Sequence, residues 1–222
     1  LGLTITLLAY QAAFWLYRRS GMNPLANPVL IAVTILVLFL TLTATSYETY
    51  FAGAQFVHFL LGPATVALAI PLYTQFRRVR SLLLPVLAGL IAGSLTAALS
   101  AIAVARLFGA SLPTQLSLAP KSVTTPIAMG IAERIGGIPS LTAVLVIVTG
   151  ILGAVGARYV FDAIKVHDPA IRGFAIGVAA HGIGTARAFQ VNEQAGAFAA
   201  LAMGLNGALT ALLLPLVLGW LG

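Results

Sequence analysis

A long apolar run without charge decides which solvent the protein folds in. Residues 82–105 contain no charged side chain, and a membrane-spanning helix needs about 20 mainly apolar residues. Across the whole chain 8% of residues are charged and 60% are hydrophobic, whereas soluble domains carry about 25% charged residues. The chain is therefore predicted to be an all-α polytopic membrane protein. The candidate spans are residues 1–16, 28–46, 56–73, 82–105, 139–160 and 195–220.

The first apolar run is followed by Arg18 and Arg19. A signal peptide has the opposite order, with positive charge before the apolar run and small residues after it. The run is therefore predicted to be a membrane span whose C-terminal end lies in the cytoplasm. Because the chain begins with Leu1 rather than Met, we expect a few residues to precede it.

Two further segments, residues 113–135 and 172–190, are long enough to span but are interrupted by polar residues, Gly or Pro. If residues 113–135 cross the membrane, the loop with Arg158, Lys165 and Arg172 lies outside. If they enter and return, that loop lies inside, where basic loops are favoured. The charge pattern therefore favours a re-entrant or broken segment, within about seven to eight membrane segments in all.

Three pairs of short segments follow the same order in two candidate halves, residues 1–105 and 113–222. Repeats with broken helices in matching positions are typical of secondary transporters. We therefore expect one transmembrane domain, residues 1–222, with an inverted repeat and two broken or re-entrant helices; chance similarity in a chain rich in Gly, Ala and Leu is the alternative. The pairs are NPVLIAV (27–33) with IPSLTAV (138–144), LGPATVALA (61–69) with HGIGTARAF (181–189), and GSLTAALSA (93–101) with GLNGALTAL (204–212).

The polar segment KSVTT (121–125) lies between Pro120 and Pro126. Each proline removes a backbone donor and interrupts a helix, and a backbone polar group left unpaired in lipid is costly. The segment is therefore predicted to be non-helical. Thr125 is predicted to cap a helix that starts at Pro126 and stops before the glycine pair 136–137.

A second interruption is predicted within HGIGTARAF (181–189), where the two glycines loosen the chain and Thr185 caps the helical turn that follows. Gly62 and Pro63, with Thr65, form a candidate third break. A broken helix whose N-terminus faces the bilayer centre presents free N–H groups and the positive end of its dipole. Such an end is suited to an anion.

Lys121 and Arg187 are predicted to lie at membrane depth, where a cation costs at least about 2.5–3.5 kcal/mol. A guanidinium binds both oxygens of a carboxylate, so the two cations with the nearby hydroxyls predict a site for a small carboxylate. The predicted substrate-binding residues are Lys121, Ser122, Thr124, Thr125, His181, Gly182, Gly184, Thr185 and Arg187, and the secondary candidates are Gly62, Pro63, Thr65, Asn206 and Glu133.

Each of these residues also has a purely structural explanation. Lys121 can extend its ammonium to the membrane surface, and Arg187 can anchor the end of a span. The hydroxyls can bond back to carbonyls in kinked helices. His181, four residues before Thr185, either carries a proton or binds a ligand. Alternatively, it forms a hydrogen bond that packs two helices together. Glu133 either pairs with the arginine beside it or carries a proton.

The sequence lacks the residues that several classes of function require. The chain has no cysteine, which excludes disulfides, thiolate metal sites and thiol catalysis. No hydrolase, zinc or phosphate-loop motif occurs, so we expect no enzyme activity, no metal and no cofactor. The net charge of +7 is explained by topology and lipid headgroups, because nucleic-acid binding requires a basic face that the sequence lacks.

Two blocks, KSVTTPIAMGIAERIGGIPSLTAVLVIVTGILGAVGA (121–157) and HGIGTARAF (181–189), resemble the LrgB/CidB family of bacterial membrane proteins. The resemblance covers nearly the whole chain and includes NPLANPVLIAV and SYETYFAGAQFVHFLLGPATVALAIPLY. It implies a holin/antiholin-like protein that controls murein hydrolase export and cell lysis, or a carrier like the related plastid glycolate/glycerate translocator. It also implies a small LrgA/CidA-like membrane partner.

Two functional hypotheses follow. The first is a secondary transporter of small monocarboxylates (glycolate, glycerate, lactate or pyruvate), coupled to H⁺ or Na⁺, in the bacterial cytoplasmic membrane. The second is a holin/antiholin-like pore component or partner that regulates murein hydrolase export and lysis. A homodimer is expected because twofold pairing is the commonest symmetry.

Overall fold

The computed structural model describes residues 2–67 and 69–218, and every regular element in that part of the chain is helical. The all-α fold class is therefore confirmed. The chain divides into two compact units, Leu1–Ala69 and Ile70–Gly222. The helices are α1 (Gly2–Arg19), α2 (Pro28–Leu42), α3 (Tyr47–Ala67), α4 (Ala69–Thr74), α5 (Phe76–Ser81), α6 (Leu83–Leu107), α7 (Leu112–Leu118), α8 (Thr125–Arg134), α9 (Pro139–Ala163), α10 (Pro169–Val191) and α11 (Glu193–Leu218), and a short 3₁₀ helix covers Pro24–Ala26.

In the first unit α1 packs against α2 and α3. Thr6 Oγ1 lies 2.7 Å from the hydroxyl oxygen of Tyr50, and a Cβ on Gly2 would collide with the Tyr50 carbonyl oxygen. The α1–α3 contact therefore requires glycine at this position. Asn27 caps α2, because its Oδ1 accepts the N–H of Val29 at 2.9 Å, which satisfies one of the free donors of the first turn.

α3 runs through Pro63, where a third helix break was predicted. That prediction is wrong for the backbone, since Gly62, Pro63 and Thr65 all lie within one helix. A single proline removes one backbone hydrogen bond and can kink a helix without ending it. The side chain of Thr65 lies outside the described residues, as does that of His58.

In the second unit α6, α9 and α11 are long and apolar enough to cross a membrane. They correspond to the predicted spans 82–105, 139–160 and 195–220, and they confirm that the chain is a membrane protein. The helix of the predicted span 28–46 is shorter, because α2 has 15 residues. The total of seven to eight segments, the inverted repeat and the single-domain organisation stay predictions.

Residues 118–137 turn into the helix bundle and back, and α8 packs there against α9 and α11. Near the end of α7, Ser117 Oγ accepts the N–H of Ile138 at 2.7 Å, and the Ser117 carbonyl accepts the hydroxyl of Thr142 at 3.0 Å. A Cβ on Gly137 would lie 3.0 Å from the Ser117 nitrogen. Because Ser117 touches Gly137 and Ile138, the chain between them folds back, and we call this segment with α8 the first hairpin.

The start of α8 differs by one residue from the prediction. Its N-cap is Thr124, with φ −63° and ψ 147°, rather than Thr125. Pro126 is then the second helical residue, where its missing N–H costs nothing because the first N–H groups of a helix have no helical partner. The Thr124 side chain makes no capping bond. After α8 the chain turns at Gly136, whose φ is +84°.

α10 also folds back on itself and forms the second hairpin. Its backbone leaves helical angles at Ala180 and His181, where φ of His181 is +41°. A Cβ on Gly184 would lie 2.6 Å from Ile176 Cγ2, whereas residues eight apart in a straight helix are separated by about 12 Å. The predicted interruption is present, but it lies before Gly182 rather than at the two glycines.

The first half of α10 runs parallel to α11 at very short range. A Cβ on Gly173 would collide with the carbonyl oxygen of Ala195, and one on Gly177 would collide with that of Ala199. Both helices advance by four residues from the first of these contacts to the second, so they run in the same direction. This direction is possible because the second half of α10 has already returned the chain to its starting end.

The bases of the two hairpins lie at opposite ends of α6. The first hairpin follows the end of α6, whereas Arg78 of α5, just before α6, pairs with Asp168 at 2.7 Å at the start of α10. Asp168 also caps α10 through the N–H groups of Ala170 and Ile171. Burial alone would raise the pKa of Asp168, but those N–H groups and the Arg78 guanidinium hold it below its ordinary value.

This geometry predicts the membrane faces of three loops. If the first hairpin does not cross, Phe108 and Ile138 lie on one face and Ile164, after α9, lies on the other. The chain has no cysteine, so Phe108→Cys, Ile138→Cys and Ile164→Cys each introduce one thiol. A membrane-impermeant maleimide is expected to label the first two in intact cells and Ile164→Cys only after permeabilisation. Labelling of Phe108→Cys and Ile164→Cys from the same face would show that residues 112–137 cross.

Candidate functional site

The side chain of Asn206 joins four separate parts of the second unit. Its Nδ2 donates to the carbonyl of Val178 at 3.0 Å and to the carbonyl of Ser122 at 3.2 Å. Its Oδ1 accepts the hydroxyl of Ser94 and, at 3.4 Å, that of Thr210. Asn206 is 1% exposed, so all of these bonds form away from solvent. We call these five residues the central hub.

The central hub stabilises backbone that cannot bond within a helix. Ser122 lies in the non-helical tip of the first hairpin, and Val178 lies just before the break in the second. A buried carbonyl without a donor costs free energy comparable to a lost hydrogen bond, and lipid supplies no donor. The amide of Asn206 supplies one N–H to each tip. Since Asn206 and Ser94 stand near the middles of α11 and α6, the two tips meet at mid-height.

Lys121 lies at the tip of the first hairpin, half-buried, and its Nζ donates to Ser122 Oγ at 3.2 Å. His181 lies at the other tip, which Asn206 holds beside the first through the carbonyls of Ser122 and Val178. These two predicted residues are therefore near one another. A cavity of about 10 Å³ lies beside the hub, lined in part by Ser122 and Asn206. It has room for about one water molecule and none for a carboxylic acid.

His181 is 4% exposed, and its Nε2 lies 2.9 Å from the carbonyl oxygen of Val146 in α9. Its positive φ is unusual for a residue with a side chain and costs about 1–3 kcal/mol, so this contact helps to hold the break. Thr185 does not cap the returning helix as predicted. Its hydroxyl donates to the His181 carbonyl at 2.7 Å, one helical turn back, as Ser and Thr hydroxyls within helices do.

Of the two glycines of the second hairpin, only Gly184 is required by packing. A Cβ on Gly182 would lie 3.8 Å from Met203 Sδ, an ordinary contact. Gly184 is the closer contact, because a Cβ there would collide with Ile176 and Ala180. Gly184 therefore lets the two halves of α10 approach.

Arg187 lies away from the central hub. It lines a cavity of about 380 Å³ together with Arg158 and Arg172, and neither Lys121 nor Asn206 is among the described residues that line it. The reason is the fold-back, which carries a residue six positions after His181 about 9 Å towards the base of the hairpin. The structure therefore divides the predicted carboxylate site into two places.

The other predicted residues lie around the first hairpin. Thr124 and Thr125 are half-buried at the start of α8. Glu133 and Arg134 are both exposed near its end, and no ion pair joins them within the described part of the chain. In that same part, no three histidine or acidic side chains converge as a metal site would require.

Sequence reasoning missed Ser94 and Thr210 as partners of Asn206. Ser94 is a polar residue in the middle of an uncharged apolar run, and that position was the available signal. It also missed the contact between Ser117 and Thr142, both fully buried, which closes the first hairpin. Neither residue stands in a motif, so only their burial reveals the role.

Comparison with known proteins shows what this chain is similar to. Residues 6–220 match the family model of the LrgB-like family. The chain is 36% identical to uncharacterized protein YxaC of Bacillus subtilis (strain 168) over 98% of this chain and 94% of that protein. It is 35% identical to uncharacterized protein YwbG of the same strain, over 99% and 97%. It is 31% identical to antiholin-like protein LrgB of Bacillus cereus (strain B4264), over 100% and 96%. No solved structure matches the chain.

A substitution on α9 tests the contact that holds the second tip. A Cβ on Gly150 would lie 2.7 Å from Cε1 and 2.8 Å from Nε2 of His181, whereas one on Gly156 in the same helix meets nothing within 4 Å. We expect Gly150→Ala to lower the free energy of unfolding by about 1–3 kcal/mol through overpacking. Gly156→Ala is the matched control. Both are compared with the parent by thermal unfolding in detergent, and equal stability of the two variants would contradict the contact.

Proposed function

The chain belongs to the LrgB-like family, and we propose that it is an antiholin-like protein of the bacterial cytoplasmic membrane. The observation that supports this most is the full-length similarity to a protein of that name, which covers all of this chain and 96% of the relative. In this role the chain regulates membrane permeability and the export of murein hydrolases. We assign no enzymatic step to it.

The fold suits a regulator that is embedded in the bilayer. Three helices of membrane length surround two hairpins whose tips meet at mid-height. The basic residues of α5 and of the α9–α10 connection lie at one end of the second unit, as the Arg78–Asp168 pair shows. We propose that this end is cytoplasmic, in agreement with the positive-inside pattern, and that the chain crosses the membrane several times.

We further propose that the protein acts in an assembly. A homodimer and a small LrgA/CidA-like membrane protein are the proposed partners. The support is the family relation for the small partner and the frequency of twofold pairing for the dimer.

A second candidate function is the transport of small monocarboxylates such as glycolate or pyruvate, coupled to H⁺ or Na⁺. The observation that favours it is the meeting of two polar hairpin tips, with a half-buried Lys121 beside them. Discontinuous helices that meet near the midplane are typical of secondary transporters. Because the cavity at the hub holds about one water, a carrier requires a second conformation in which the tips separate.

The antiholin-like role predicts slower autolysis. Bacillus subtilis cells without their own LrgB-like proteins are made to express the chain and are then treated with an uncoupler. We expect turbidity to fall more slowly, and less murein hydrolase to reach the medium, than in cells with an empty vector. Asn206→Leu is expected to lose the effect, because it removes the donor for both hairpin tips. An unchanged lysis rate with the protein present in the membrane would refute the role.

The carrier role predicts saturable counterflow of labelled glycolate or pyruvate in proteoliposomes that retain a trapped dye. Lys121→Ala is expected to reduce the rate by about 10-fold or more, as for loss of a charged hydrogen bond. Lys165→Ala, in the exposed α9–α10 connection, is the matched control and should retain the rate. Absence of counterflow with all four proposed acids, or equal rates in the two variants, would exclude the carrier.

A further inference from the structure

The cavity that contains Arg187 lies between the end of α9, both halves of α10 and the start of α11. It has a volume of about 380 Å³. Arg172 comes from the first half of α10 and Arg187 from the second, so the two share one cavity only because α10 folds back. The third arginine that lines the cavity, Arg158, comes from α9. The site is therefore a product of the second hairpin.

The wall of this cavity is strongly basic. Three arginines and His167 line it, and the described lining residues include no carboxylate. Two acidic residues of the α9–α10 region are engaged in ion pairs. Asp162 pairs with Arg172 at 2.5 Å and with Arg158 at 3.7 Å, while Asp168 pairs with Arg78. One carboxylate, that of Asp162, is shared by two guanidinium groups, so positive charge remains between Arg158 and Arg172 that an anion would balance.

Apolar residues surround the basic wall and remain exposed. Val191 lines the cavity and is 66% exposed. Val160 and Ile171, within two residues of lining positions, are 57% and 58% exposed. In a membrane protein such residues face acyl chains. The cavity therefore combines cations for a phosphate with a lipid-facing rim, an arrangement that a water-soluble anion does not need.

We propose that this cavity binds the phosphate headgroup of an anionic glycerophospholipid. Guanidinium groups bind phosphate oxygens in pairs, and basic pockets between membrane helices at the cytoplasmic side bind such headgroups. The acyl chains lie along Val191 and its exposed apolar neighbours. The lipid then bridges α9 and both halves of α10 and stabilises the second hairpin. The proposal is independent of both candidate functions.

The test is thermal unfolding of the purified full chain in an uncharged maltoside detergent, titrated with cardiolipin or phosphatidylglycerol. We expect saturable stabilisation, because a ligand of the folded state raises its stability with concentration. Phosphatidylcholine should give no comparable effect. In Arg187→Gln the apparent affinity for cardiolipin should fall by about 10- to 100-fold, as for loss of a charged hydrogen bond.

Two more variants keep the test decisive. Arg158→Gln changes a side chain that is 66% exposed, so it should fold even if Arg187→Gln does not, and it should also weaken cardiolipin binding. Arg106→Gln, at the exposed end of α6, should bind as the parent does. Equal stabilisation by phosphatidylcholine, or unchanged affinity in both cavity variants, overturns the proposal. Stabilisation by inorganic phosphate or acetate that these variants abolish, with no effect of lipid, identifies a site for a soluble anion and also overturns it.

Discussion

The two hydrogen bonds donated by Asn206 are the interaction on which the rest of the second unit depends. A chain that interrupts its helices inside an apolar environment exposes carbonyl groups that lipid cannot satisfy. The amide of Asn206 satisfies one carbonyl at each interruption, from Ser122 and Val178. It can do so because α11, on which it stands, lies beside both tips. Without this residue each hairpin would need its own donor, so the position of α11 and the existence of the two breaks are linked.

The fold also requires helices to approach one another closely at glycine residues. Gly173 and Gly177 bring the first half of α10 against the backbone of α11, and Gly184 lets α10 return alongside itself. On α9, Gly150 leaves the space that the His181 imidazole occupies. In membranes, where lipid is as apolar as the helix surfaces, such contacts between small residues supply much of the association energy.

Some of this structure can be predicted from the sequence and some cannot. The prolines around KSVTT locate the tip of the first hairpin, because proline acts locally on the backbone. The second break was placed at the glycines, whereas the structure places it at Ala180 and His181, where contacts from α9 hold an unfavourable backbone angle. The structure places Lys121 at the hub and Arg187 in a separate cavity, because distance along a folded-back helix cannot be read from sequence spacing. Asn206 was a secondary candidate, and its partners come from distant parts of the chain. The inverted repeat, the homodimer and the small partner stay predictions.

The shared donor also has a mechanical consequence. The hairpins start from opposite ends of α6, yet one side chain holds both tips. A force or ligand that displaces one tip by more than the tolerance of a hydrogen bond, a few tenths of an ångström, must either carry α11 along or leave a carbonyl unsatisfied at a cost of about 1–3 kcal/mol. The two faces of the unit therefore cannot rearrange independently. Asn206 couples them, so a structural change at one face alters the free energy of the other.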